Sequence, residues 1–141
     1  MSIAPDKRTV TAVFVKRLRH VRHDRGMTLI PESTRCVRAG DLHELVTTDQ
    51  TGLSAGSRVD RTGFLGFVEV TRAGVIEAGD VVALPEARVG RVVGFDDCHF
   101  PNHYNIIIES TALLTGDHPS VAVEGTVRFE PEAASGRGER P

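Results

Sequence analysis

Gly94-Phe95-Asp96-Asp97-Cys98-His99-Phe100-Pro101-Asn102-His103-Tyr104-Asn105-Ile106-Ile107-Ile108-Glu109 places a crowded polar turn between two apolar, strand-like runs. Pro101 has no N–H and biases Phe100 towards extended geometry, so one continuous helix cannot cross this stretch. From His103 onward the residues read as a strand, with successive side chains on opposite faces. Tyr104, Ile106 and Ile108 then share one face, and His103, Asn105, Ile107 and Glu109 share the other. Side chains able to ligate, donate or titrate crowd together here beside core-forming sequence, which makes this the first place to look for a site.

Working outward, the same grammar of short strands and Gly/Pro turns continues. Upstream, Asp80 to Leu84 and Arg88 to Phe95 form a hairpin across Pro85-Glu86-Ala87. Before it, Gly74-Val75-Ile76-Glu77-Ala78-Gly79-Asp80-Val81-Val82 carries a Gly-x-Ile-x-x-Gly-Asp-x-Val wording common in small β-barrels. Arg58 to Arg72 is strand-like, with Gly63 and Gly66 suggesting a bulge or bend. Its alternation puts Leu65, Phe67 and Glu69 on one face. Met27 to Ile30, Thr34 to Arg38 and Leu42 to Thr48 are short extended candidates, the third also fitting a helical turn. Thr9 to Leu18 is rich in β-branched residues on both parities and reads as a strand covered on both faces. Downstream, Ser120 to Glu130 alternates cleanly, with Val121, Val123, Val127 and Phe129 on one face.

This pattern predicts an all-β, single-domain, small antiparallel β-barrel of about seven to nine strands. Residues 9–130 form the barrel, 1–8 a flexible N-terminus, and 131–141, which lack core residues, a disordered tail.

The chain has 141 residues, 40% hydrophobic and 26% charged, enough for one core without staples. A net charge of −2 argues against a nucleic-acid partner. No run approaches the roughly 20 apolar residues of a membrane helix, and the first residues lack a signal-peptide core. Cys36 and Cys98 read as two reduced thiols in a cytoplasmic protein. The preference for Arg over Lys, with abundant Gly and Val, is associated with GC-rich bacterial genomes. The basic run from Lys16 to Arg25 reads as a solvated strand end, with an anion site for a carboxylate or phosphate as the alternative. A homodimer is compatible with the sequence.

His99 and His103, with Asp96, Asp97 and Cys98, form the metal-like cluster. A mononuclear site wants three or four ligands, so His43 or Glu69 would have to supply the rest from other strands. That shortage ranks a metal-free, cofactor-free reading first. Glu69 and Glu109 each follow an apolar run. An inward carboxylate would have a raised pKa and act as acid or base near neutrality. Nucleophile motifs and phosphate-binding glycine loops are absent.

In size and strand-dominated order, residues 9–130 resemble the small β-barrel cyclases of polyketide pathways, including the spirotetronate and polyether (4+2) cyclases. The resemblance implies a cofactor-free pocket that folds a small hydrophobic substrate and promotes its cyclisation by proximity and orientation. On that reading Tyr104, His103 and Glu69 are the catalytic candidates. Phe67, His99, Asn105, Ile106 and Ile108 line the substrate. Two alternatives stay open: a metal-dependent barrel enzyme built on His99 and His103, and a non-catalytic small-ligand-binding barrel.

Overall fold

The computed structural model describes residues 5–132. Twelve strands form and no α-helix is present among these residues: β1 (Val10–Arg17), β2 (Val21–Arg22), β3 (Met27–Thr28), β4 (Thr34–Val37), β5 (Leu42–Thr48), β6 (Arg58–Val59), β7 (Thr62–Arg72), β8 (Gly74–Glu77), β9 (Val81–Leu84), β10 (Ala87–Asp96), β11 (Asn105–Glu109) and β12 (Thr126–Glu130). Seven of them hydrogen-bond in the order β1-β12-β9-β10-β11-β5-β7, and the pairing of β7 with β1 closes the ring. Closure leaves no long unpaired edge within that ring. Every pair in it is antiparallel except β11 with β5. That parallel pair is possible because residues 49–104 bring the chain back round to the same end, the long crossover such a pair needs.

Inside the ring, alternate residues build one core. Phe14, Leu45, Leu65, Val92, Phe95, Ile106, Ile108 and Phe129 belong to it, all essentially without solvent contact. The unbroken apolar run at Ile106–Ile108 has a second cause. Val46 and Ile107 point outward, where the β3–β6 ribbon brings Met27, Leu29 and Val59 over them with Phe64. The barrel wall is therefore buried on both sides here, which is why its sequence is apolar at both parities.

Three local expectations are corrected by the backbone. Gly66 adopts φ of +150°, and a side chain there would meet the Lys16 carbonyl. The β5–β7 register shifts at this point, with Leu45 opposite Gly66 and Val46 opposite Phe64. This bulge reverses the alternation. Leu65 stays in the core, while Phe67 and Glu69 turn outward, half-buried and exposed respectively. The strand expected from Ser120 begins only at Thr126. Residues 122–125 turn instead, with Glu124 at φ of +70° and the Gly125 N–H donating to the Ala122 carbonyl at 2.8 Å. Val123 consequently faces solvent, apart from Val121, Val127 and Phe129. β1 buries Val10, Ala12 and Phe14 but exposes Val15, so it is covered mainly on one face. Leu42–Thr48 is a strand throughout.

At the N-terminal side, the Lys7 ammonium meets both Asp80 carboxylate oxygens (2.7 and 2.6 Å) and the Val75 carbonyl. Burial pushes the Asp80 carboxyl up, and its bonds from Lys7 and the Glu77 N–H offset only part of that. Lys7 thus ties part of the segment read as flexible onto the β8–β9 turn. Beyond Pro131 and Glu132, the expected tail lies outside the described residues. No helix among them is long and apolar enough to cross a membrane.

Candidate functional site

β5 and β11 run side by side, with Asn105 opposite Glu44 and Ile106 opposite Leu45. Period-two alternation sends Leu45 and Ile106 into the core and leaves Glu44 and Asn105 on the outer wall. Asp96 on β10 stands opposite Asn105, and Phe67 on β7 stands opposite Glu44. Four neighbouring strands therefore contribute one row: Asp96, Asn105, Glu44, Phe67. The turn from Asp97 to Tyr104, in which the Phe100–Pro101 peptide is cis, folds back beside this row and delivers His99 and His103 to it.

The result is a compact cluster of three metal-type ligands, Glu44, His99 and His103, whose donor atoms all lie within 4.8 Å of one another. Glu44 and His103 are buried, at 6% and 8% exposure, whereas His99 is exposed. His103 Nε2 lies 3.2 Å from Glu44 Oε1. Its Nδ1 lies 2.8 Å from the Asn102 amide nitrogen, which can only donate. The His103 ring is also held edge-on by Phe67, with centroids 5.1 Å apart, and lies 5.0 Å from the His99 ring.

Electrostatics prepare these donors. Burial lowers the His103 pKa, against an opposing influence of the Asn105 amide, which favours the neutral ring; with Asn102 donating to Nδ1, its proton sits on Nε2 and points to Glu44. Burial raises the Glu44 pKa, and the positive potential of His99, Arg25 and His20 pulls it back. Asp96 is committed elsewhere. Its Oδ1 accepts from the Cys98 N–H (3.1 Å) and Asn105 Nδ2 (3.0 Å), and its Oδ2 accepts from the Thr28 N–H (3.2 Å). Burial works to raise its pKa, but hydrogen bonds from Cys98, Asn105 and Thr28 outweigh that and hold it low. Desolvation and the bond to Asp96 push the Cys98 thiol up, so it is not a thiolate at neutral pH. Cys36 and Cys98 are both free thiols.

Two buried polar atoms near this row lack a hydrogen-bond partner, Asn105 Oδ1 and His43 Nε2. Asn105 is fully buried and spends its Nδ2 on Asp96 and Cys98, yet its Oδ1 accepts no hydrogen bond. A buried orphan acceptor costs about 1–3 kcal/mol, and here it lies beside His103.

The remaining sequence candidates fall in different places. Ile106 and Ile108 belong to the packed core. Tyr104 lies on the other side of the wall from His103, its ring beneath the Arg35 guanidinium at 3.8 Å and 5.2 Å from Phe100. The Tyr104 N–H donates to His43 Nδ1 at 3.3 Å, so the imidazole proton sits on Nε2, which is buried without a partner. Burial lowers the His43 pKa, with Asp41 opposing. Glu69 is exposed and outside the cluster. The third ligand-type group, sought at His43 or Glu69, is supplied in position by Glu44, the immediate neighbour of His43. Its signal was a carboxylate inside Leu42-His43-Glu44-Leu45-Val46, an otherwise apolar strand where a charge needs a partner. A separate open groove of about 950 Å³ runs along the outer wall past Leu53, Val89, Arg91 and Val93 and includes none of the three ligands.

Fold and site together define a small, single-domain β-barrel with a two-histidine, one-carboxylate cluster on its outer wall. The chain belongs to the family of unknown function DUF6917, whose model matches residues 4–130. No curated protein and no solved structure matches it.

Proposed function

We propose that this protein is a metal-dependent small-barrel enzyme in which Glu44, His99 and His103 hold one divalent first-row transition ion. The observation that carries the reading is the convergence of these donors within 4.8 Å beside the orphaned Asn105 oxygen. Donors bound to a tetrahedral ion at about 2.1 Å sit roughly 3.4 Å apart, a spacing the cluster reaches by small side-chain adjustments. Two imidazoles and one carboxylate suit Fe²⁺ or Zn²⁺, and three protein ligands leave coordination positions for water or substrate. The exposed flank at His99 gives those positions access to solvent. An ion held there supplies a Lewis acid that polarises an oxygen ligand or lowers the pKa of bound water.

The protein's own groups have defined tasks. Glu44 supplies the compensating negative charge from a buried position. Asn102 faces the second nitrogen of His103 and fixes its ring, with an amide able to present either oxygen or nitrogen. Phe67 shields one side of that imidazole. Cofactor-free cyclisation of a hydrophobic substrate is the less supported reading, because Ile106 and Ile108, the apolar lining it requires, are engaged in the core.

The test is a thermal-shift series on chelator-stripped protein given Zn²⁺, Mn²⁺ or Co²⁺. Wild type should gain stability with at least one ion at micromolar levels, and Glu44→Gln and His99→Ala should not. Equal responses in all three proteins would defeat the proposal.

A further inference from the structure

Arg25 differs from the arginines whose ion pairs are described. Arg19, Arg22, Arg58, Arg61, Arg91 and Arg128 each meet a carboxylate. Arg25 is half-buried, and its guanidinium instead contacts His99 Nε2 at 3.3 Å and Cys98 Sγ at 3.4 Å. Its position is fixed from the backbone. The Arg25 N–H donates to the Asp60 carbonyl (3.0 Å), and the Gly26 N–H donates to the Asp60 carboxylate (3.0 Å). Gly26, at φ of +73°, makes the turn that directs the chain into β3.

A guanidinium can only donate, so His99 Nε2 presents its lone pair to Arg25. An ion binding at that nitrogen takes over the same lone pair and releases the guanidinium donor beside it. A divalent cation and a guanidinium at such short range repel unless an anion lies between them. Glu44 provides one negative charge within the ligand cluster, and Asp96, which is also charged, directs its oxygens to the Thr28 and Cys98 N–H groups and the Asn105 amide. A ligand anion lying between the ion and Arg25 relieves that repulsion directly.

Resting on the metal reading above, we infer that the site takes a small organic carboxylate, one oxygen on the ion and the other paired with Arg25. The planar fork of arginine suits carboxylate geometry. Phe67, half-buried and packed edge-on against His103, gives the carbon chain an apolar wall, so the class is a monocarboxylic acid with a hydrophobic tail.

The experiment is calorimetric titration of Zn²⁺-loaded protein with hexanoate and with hexanamide, its neutral counterpart, beside zinc determination after dialysis. Wild type should keep zinc, bind hexanoate and ignore hexanamide. Arg25→Gln should keep zinc but bind hexanoate about tenfold more weakly or worse, and Arg25→Lys should recover part of the loss. Zinc retained with hexanoate binding equal in wild type and Arg25→Gln overturns this inference and leaves the metal site standing. Zinc retained with no hexanoate binding, or with equal hexanamide binding, does the same. Failure of wild type to hold zinc overturns both.

Discussion

The two faces of the β5–β11 pair are built from neighbouring residues and do opposite jobs. Inward, Leu45, Ile106 and Ile108 are packed among other aliphatic and aromatic side chains and have no polar function. Outward and one residue away, Glu44 and Asn105 are just as hidden from water, yet they are polar. Burying a carboxylate and an amide costs several kcal/mol unless partners compensate, and one of those partners is missing at Asn105 Oδ1. The inner face is packed with apolar side chains around these positions, and the outer face buries polar groups, one of whose acceptors lacks a partner. That difference is what the proposed metal site on the outer wall rests on.

Substitutions that affect only one face would sharpen this contrast. The largest effect belongs to the inner face: Ile106→Ala should cost about 2–5 kcal/mol of stability in urea titrations. Metal stoichiometry of the protein still folded should be unchanged. On the outer face, His99→Ala removes an exposed ligand. It should lower metal affinity by more than about 100-fold, beyond what loss of a supporting group costs, while apo-protein stability stays within about 0.5 kcal/mol. Asn102→Leu removes the group behind His103 and should weaken metal binding about 10–100-fold, measured by chelator competition. Tyr104→Phe, which alters the other side of the same turn, should leave metal affinity unchanged, whereas His103→Ala abolishes it. A metal-binding loss in Tyr104→Phe would mean that the wall does not separate the two faces as described.

Much of the barrel was legible because short strands and turns leave strong local marks. The hairpin across Pro85-Glu86-Ala87 and the paired faces of Asn105–Glu109 follow from proline chemistry and period-two alternation. Where alternation misled, a single backbone feature was responsible. The bulge at Gly66 exchanged the faces of Phe67 and Glu69, and the left-handed Glu124 turned Val123 outward. A glycine announces that a bulge is possible without saying in which register it falls. Half of the site was equally visible, in His99 and His103 around Pro101. Glu44 was not, because its role depends on β11 pairing parallel to β5 across residues 49–104, a long-range event that leaves no local periodicity. Arg25 was legible only as the last cation of a basic run with an anion-site alternative, and the neighbour that singles it out, His99, comes from a distant segment.

The central claim is that the outer-wall cluster holds one metal ion. It is tested most directly by elemental analysis of protein purified without chelators, set beside a Glu44→Gln/His99→Ala double variant prepared identically. The account predicts about one equivalent of a divalent transition ion per wild-type chain, retained through dialysis, and almost none in the variant. Wild type that remains metal-free after loading with Fe²⁺ and Zn²⁺, or a double variant that carries as much metal as wild type, would contradict it.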